Sequence, residues 1–193
     1  MRIVGGTLRG RTFEAPEGRG TRPTTDRMRE GIASMICSAC ELDLSDRPVL
    51  DAFAGSGGMG LELLSRGAPH CTFVEKNARA ARVVRRNCQD LLPSDDRWSV
   101  VVGDMARLAT RSRMPGAPFG IVFLDPPYAM LAEDVSSVVA SLASAGHLAP
   151  GCLVVYERAR KAPGLSAEVV VPLRSRSHGE TSIDLARMDV EHD

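Results

Sequence analysis

The chain has 193 residues, 44% of them hydrophobic and 25% charged, an ordinary globular composition that excludes wholesale disorder. Its length fits about one domain with a small appendage, and no apolar run approaches the ~18 residues of a membrane span. Basic and acidic residues balance at 24 each, so net charge is zero and only its distribution informs about partners.

Residues 1–13 hold Arg2, Arg9 and Arg11 and no acid, and Arg158, Arg160, Lys161, Arg174 and Arg176 form a second basic stretch. The opening residues MRIVGGTLRGR lack the apolar stretch of a secretory signal, so a cytoplasmic chain is expected. Cys37, Cys40, Cys71, Cys88 and Cys152 are an odd, scattered set that reads as reduced thiols. Cys37-x-x-Cys40 stands alone without partnering histidines, and no metal site is expected.

In chain order, Ile3-Val4, Gly5-Gly6 and Leu8 to Phe13 read as a short hairpin. Residues 14–24 are a Pro/Gly/Arg-rich loop. Thr25 or Asp26 caps a helix whose stripe is Met28, Ile32, Met35, Ile36 and Ala39. Beyond Pro48, strands at 49–53, 71–75, 99–102, 120–124 and 152–156 alternate with helices near 58–66, 77–91, 104–112 and 131–145. In the last helix Val135, Val138, Val139 and Leu142 share one face. Such alternation predicts βαβ units and a doubly wound, mostly parallel sheet covered on both faces. The pieces 169–173 and 182–188 predict an antiparallel C-terminal hairpin at its edge. A boundary near residue 46 separates an N-terminal hairpin-and-helix extension, 1–46, from the α/β domain, 47–193.

The segment from Val49 through Asp51, Phe53, Gly55, Ser56, Gly57 and Gly60 runs from a strand through a glycine loop into a helix. Glycines there let a ligand approach the backbone, as in dinucleotide folds. Asp51 argues against a diphosphate, which it would repel, and for a cationic group. S-adenosylmethionine carries an α-ammonium and a sulfonium and has no phosphate. The plainer reading is that Asp51 only binds backbone N–H groups of the loop. Glu75 ends the second strand and can accept both ribose hydroxyls. Asp104 follows the third strand and can accept from an adenine amine, with the Met105 N–H beside it; equally, Asp104 can cap the next helix.

Asp125-Pro126-Pro127-Tyr128 closes the fourth strand. The two prolines stiffen it and supply carbonyls without N–H groups. The Asp125 carboxylate and Pro126 carbonyl make an acceptor ledge suited to an exocyclic amine, whose N–H bonds they would hold while its lone pair faces an incoming methyl. Tyr128 can stack on the base.

These motifs resemble, in order, those of class I S-adenosylmethionine-dependent methyltransferases of the D/N-P-P-Y group. The chain is most similar to the bacterial RsmD-type 16S rRNA guanine-N2 methyltransferases, through Met1-Arg2-Ile3, Arg9-Gly10-Arg11, the block Arg22-Pro23-Thr24-Thr25-Asp26-Arg27, Phe53 to Gly57 and Ser65 to Ala68. The resemblance implies a seven-stranded Rossmann-like fold and methyl transfer to the N2 of a guanine in small-subunit ribosomal RNA, free or within an assembling subunit, by a monomer that does not bind membranes. It implies that Thr24, Phe53, Ser56 and Lys76 join Asp51, Gly55, Gly57, Gly60, Glu75, Asp104 and Met105 around the cofactor. Arg2, Arg9, Arg11 and Arg22 would contact RNA, and the N-terminal extension would close over the cofactor. Adenine-N6 methylation by the same ledge, and a non-catalytic RNA-binding assembly factor, are the alternatives. Where the family has an aromatic residue before its C-terminal G-x-T, this chain has His178.

Overall fold

The computed structural model describes residues 1–16, 25–92 and 94–188. Five strands run parallel: β1 (Val49–Asp51), β2 (Cys71–Glu75), β3 (Trp98–Val102), β4 (Phe119–Leu124) and β5 (Leu148–Ala159). β6 (Val171–His178) and β7 (Thr181–Arg187) form the antiparallel C-terminal hairpin, with β7 inserted between β5 and β6. The order β3-β2-β1-β4-β5-β7-β6 makes one seven-stranded sheet.

Period-two alternation divides the strand residues between two apolar layers. Val49, Phe73, Ile121, Phe123, Leu153 and Val155 face one layer, with α1 (Asp26–Ala39), α2 (Gly58–Ser65) and α3 (Ala78–Leu91). Leu50, Val74, Val122, Leu124, Val154 and Tyr156 face the other, with α4 (Met105–Leu108) and α5 (Ala132–Ser144). Cover on both sides explains why the parallel strands read as continuous apolar runs. The expected α5 stripe Val135, Val138, Val139 and Leu142 is buried. No helix among the described residues is long and apolar enough to cross a membrane.

Thr25, not Asp26, caps α1: its hydroxyl accepts from the Met28 N–H at 3.2 Å. Several bounds differ from expectation. The helix expected over 104–112 ends at Leu108, and β5 reaches 12 residues because β7 pairs with its outer half. β6 lies later than 169–173; every residue in it is exposed, so no apolar alternation marks it.

The expected N-terminal hairpin forms and its connecting loop docks on α2. Its arms pair antiparallel at the bridge of Arg2 to Thr12, with Ile3 N–H donating to the Arg11 carbonyl at 2.8 Å, Gly10 N–H to the Ile3 carbonyl at 2.8 Å and Phe13 N–H to the Met1 carbonyl at 2.9 Å. The intervening backbone bonds to α2 instead: Val4 N–H to Glu62 at 3.0 Å, Thr7 N–H to the Ser65 carbonyl at 2.8 Å, Leu8 N–H to the Ser65 hydroxyl at 2.9 Å. Gly6 has φ +73°, and a Cβ there would fall 1.9 Å from the Ser65 carbonyl oxygen. Buried Arg29 fastens the arrangement. Its guanidinium donates to Asp26 at 2.8 Å and to the Arg2 carbonyl, lies 3.8 Å from buried Glu62, and sits over the Phe13 ring. Glu62 also pairs with Arg66 at 2.9 Å. Buried charges persist only when partnered in this way. Ile3, Phe13, Ile32 and Ile36 belong to the same apolar cluster as the sheet, so residues 1–16 and 25–46 share its core.

Candidate active site

Four neighbouring parallel strands present a carboxylate toward one crevice. Asp51, Glu75, Asp125 and Glu157 each lie two residues beyond a side chain of the α2/α3 layer, namely Val49, Phe73, Phe123 and Val155, so alternation puts all four on that side. Asp51 is in register with Phe73 and Phe123, which sets it two residues, about 6.6 Å, below Glu75 and Asp125. The acids form a step with Asp51 as its floor.

Asp51 is 2% exposed and accepts the Gly60 N–H at 3.0 Å, in the first turn of α2. Burial pushes its carboxyl up to about 7; the Gly60 bond opposes this, and the negative charges of Asp125 and Glu75 add to it. Backbone capping is thus one real role of Asp51, and no ion pair among the described residues includes it. The glycines divide by task. Gly55 has φ +54° and open space where a Cβ would stand, so the turn itself demands it. Gly60 serves packing: a Cβ there would lie 2.2 Å from Phe73 Cε1 and 2.6 Å from Cys71 Sγ.

Glu75 is held by two backbone donors, Gly55 N–H at 2.9 Å and Asn77 N–H at 2.7 Å. The exposed ammonium of Lys76 meets Asp104 at 2.8 Å, and Asp104 caps α4 by accepting the Ala106 N–H at 3.1 Å. The Lys76 hydrogen bond holds the Asp104 carboxyl below its usual range. The Met105 side chain is buried in the α4/α5 layer, leaving only its backbone near the crevice, and Phe53 packs half-buried against the same layer. The Ser56 carbonyl accepts from Asn87 at 3.2 Å. Thr24 and Arg22 lie outside the described residues.

Asp125, Pro126, Pro127 and Tyr128 line an open pocket, with Glu157 and Arg158 on its other wall. Tyr128 is 80% exposed, its ring free to stack. Asp125 is reached by solvent but walled in by surrounding chain, and that loss of bulk water raises its pKa to about 6. Glu157 goes further, to about 8, by burial first and the Asp125 charge second. Arg158 does not neutralise it; that guanidinium is committed to Asp184 at 2.6 Å and to the Ala162 carbonyl at 2.6 Å. Glu157 was not among the expected site residues. The available signal is an acid directly after the apolar run Leu153-Val-Val-Tyr156, much as Glu75 ends Phe73-Val74.

The arm arginines lie apart from these acids. Arg2 pairs with Asp26 at 2.8 Å, Arg11 donates to the Asp90 carbonyl at 3.0 Å, and the exposed guanidinium of Arg9 has no ion pair or hydrogen bond among the described residues. All five cysteines are free thiols.

The family model described as Conserved hypothetical protein 95 matches residues 1–187. Ribosomal RNA small subunit methyltransferase D of Haemophilus influenzae is 32% identical over 187 residues, covering 96% of this chain and 92% of that protein. The protein of the same name from Escherichia coli strain K12 is 36% identical over 159 residues, 81% of this chain and 74% of its own. Among solved structures, the yhhF protein of Escherichia coli superposes with a TM-score of 0.80 at 26% identity over 99% of both chains. The HI0767 protein of Haemophilus influenzae does so at 0.79 and 25% over 97% of both.

Proposed function

Because the chain belongs to the Conserved hypothetical protein 95 family, together with the small-subunit ribosomal RNA methyltransferases D it matches, we propose that it methylates the exocyclic N2 of a guanine in small-subunit ribosomal RNA, using S-adenosylmethionine. The observation that carries this reading is the step of carboxylates: a buried acid on the floor with no ion pair among the described residues, and an acceptor ledge above it.

The residues fit a cationic, phosphate-free cofactor. Asp51 would take the α-ammonium, whose charge relieves the repulsion among Asp51, Asp125 and Glu75. Glu75, oriented by Gly55 and Asn77, would accept the ribose hydroxyls. Asp104 would accept from the adenine amine while continuing to cap α4, and the Met105 backbone would lie beside it. The bound cofactor supplies an electrophilic methyl on its sulfonium.

The ledge would do the rest by position. Asp125 and the Pro126 carbonyl accept the two N–H bonds of the amine, which aims the nitrogen lone pair along the line of transfer; such alignment is worth several kcal/mol. The methylated ammonium is strongly acidic, so Asp125 serves as acceptor and orienter before it serves as base. Tyr128 stacks on the base, which must be looped or flipped out to reach the pocket. Arg2, Arg9, Arg11 and Arg22 would contact phosphates of the RNA, and the segment 1–46 would form that contact surface beside the cofactor.

The test is labelled methyl transfer to undermodified small ribosomal subunits and to the naked RNA, followed by nucleoside analysis and mapping. The expected product is N2-methylguanosine at one position; a mark on adenine, or none, would overturn the reading. Asp125→Ala is expected to lose more than about tenfold in rate, over ~1.4 kcal/mol of barrier, with cofactor affinity by calorimetry near wild type.

A further inference from the structure

We propose that Glu157 reads the edge of the target base, accepting the N1–H of guanine beside the amine that Asp125 holds. This rests on the proposed transfer to guanine N2.

The geometry begins with register. Leu124 of β4 pairs with Tyr156 of β5, so the next residues, Asp125 just past β4 and Glu157 within β5, follow adjacent parallel positions about 4.8 Å apart. Both line the same pocket. One Glu157 oxygen, Oε2, is buried with no hydrogen-bond partner among the described residues. The neighbouring cation Arg158 is turned away to Asp184. A buried acceptor without a donor is a costly arrangement that a fold keeps rarely and a ligand can repair.

The missing donor has a chemical identity. Asp125 and Glu157 together form a wall of acceptors. Guanine offers N1–H and the N2 amine side by side, a matching row of donors. Adenine and 2-aminopurine place an acceptor nitrogen, N1, next to the amine, and it would face the Glu157 oxygen acceptor to acceptor unless that oxygen carried a proton. Burial and the Asp125 charge favour the proton on Glu157 in the empty pocket; 2-aminopurine needs that proton to bond its N1, whereas the guanine N1–H bonds most strongly once the proton has gone to solvent and the carboxylate is charged. The advantage of guanine therefore widens as pH rises. Among the described residues, the other titratable or charged groups around Glu157 are Asp125 just after β4, Tyr128 at the end of the ledge, Tyr156 and Arg158 on β5, Asp184 on β7 and, beyond Ile183 in the same row, Arg176 on β6.

The experiment first maps the guanine that the wild-type protein methylates. An RNA fragment spanning it is then made with guanine or 2-aminopurine at that position, and the dissociation constants of both fragments are measured from pH 6 to 9. Wild type is expected to favour guanine about tenfold or more at the alkaline end. For Glu157→Gln, whose amide both donates and accepts without titrating, the preference is expected to fall within about twofold at every pH. Glu157→Asp, which restores a titrating carboxylate, is expected to recover the rise with pH. Groups left unchanged cancel in the guanine to 2-aminopurine ratio, and so does a general loss of RNA affinity. Equal ratios for wild type and Glu157→Gln, or a wild-type ratio flat with pH, would overturn the role of Glu157 while leaving guanine methylation standing. Failure of the wild-type protein to mark guanine would overturn both.

Discussion

Replacing Asp51 with asparagine separates what the crevice does for stability from what it does for binding. Asp51 is 2% exposed, and its carboxyl is raised from an ordinary 3.8 to about 7. A carboxyl raised on folding makes the folded state hold a proton that the unfolded chain has released. Stability is therefore intact below about pH 4, falls as pH rises to 7, and is flat above. Three pH units at about 1.4 kcal/mol each give an upper figure of ~4 kcal/mol. An asparagine keeps an oxygen for the Gly60 N–H and has no charge to desolvate. Asp51→Asn is expected to melt with wild type at pH 4 and above it at pH 8, by as much as ~8–16 °C for a chain of this size. The same variant is expected to bind S-adenosylmethionine about 10- to 100-fold more weakly, having lost a charged hydrogen bond to the ammonium. Thermal melts from pH 4 to 9, with calorimetric titration at pH 8, read both effects. Melting curves that stay parallel across the whole range would refute the argument that Asp51 is an unbalanced buried acid.

Gly60→Ala is expected to lower stability by about 1–3 kcal/mol, because the new methyl meets the Phe73 ring and Cys71; an unchanged melting temperature would show that α2 shifts freely. Glu75→Ala and Asp104→Ala should each weaken cofactor binding by about 1–3 kcal/mol in calorimetry, and Asp104→Ala should also lose about 1 kcal/mol of stability with the α4 cap. Wild-type affinity in both would sink the placement of the cofactor. Replacing Arg2, Arg9 and Arg11 together with alanine should reduce the salt slope of RNA binding by about 0.7–0.9 per lost phosphate contact. Salt plots parallel to wild type would mean that the arm only shields the core.

Local signals and long-range register account for what was legible in the sequence. Residues 71–75 read as a strand and form one, because cover on both faces leaves an unbroken apolar run before Glu75. Asp51, Glu75, Asp104 and Asp125 were each visible where a strand gives way to a loop. Glu157 was not, because its significance comes from the pairing of β5 with β4, a contact between segments some thirty residues apart. The N-terminal hairpin is legible from residues 3–13, but its docking is not: the Val4 and Leu8 N–H groups are satisfied by Glu62 and Ser65 of α2, which nothing between residues 3 and 13 announces. Gly60 was grouped with the ligand-facing glycines, yet its close neighbours are Phe73 and Cys71 of β2.

The last strand of the sheet, β6, is exposed along all eight of its residues, and among the described residues nothing pairs with its outer edge. An open edge is a template on which further chains can add strand by strand. The sequence of β6 works against such growth. Pro172 lacks an N–H, the register shifts between Pro172 and Arg174, and Arg174 and Arg176 set two like charges where an added strand would lie. Exposed Val171 and Leu173 supply the stickiness those features restrain. Keeping this edge unpaired thus falls to β6 itself, two strands from β5, and substitutions that neutralise Arg174 and Arg176 are expected to favour sheet-to-sheet aggregation without changing the acids of the site.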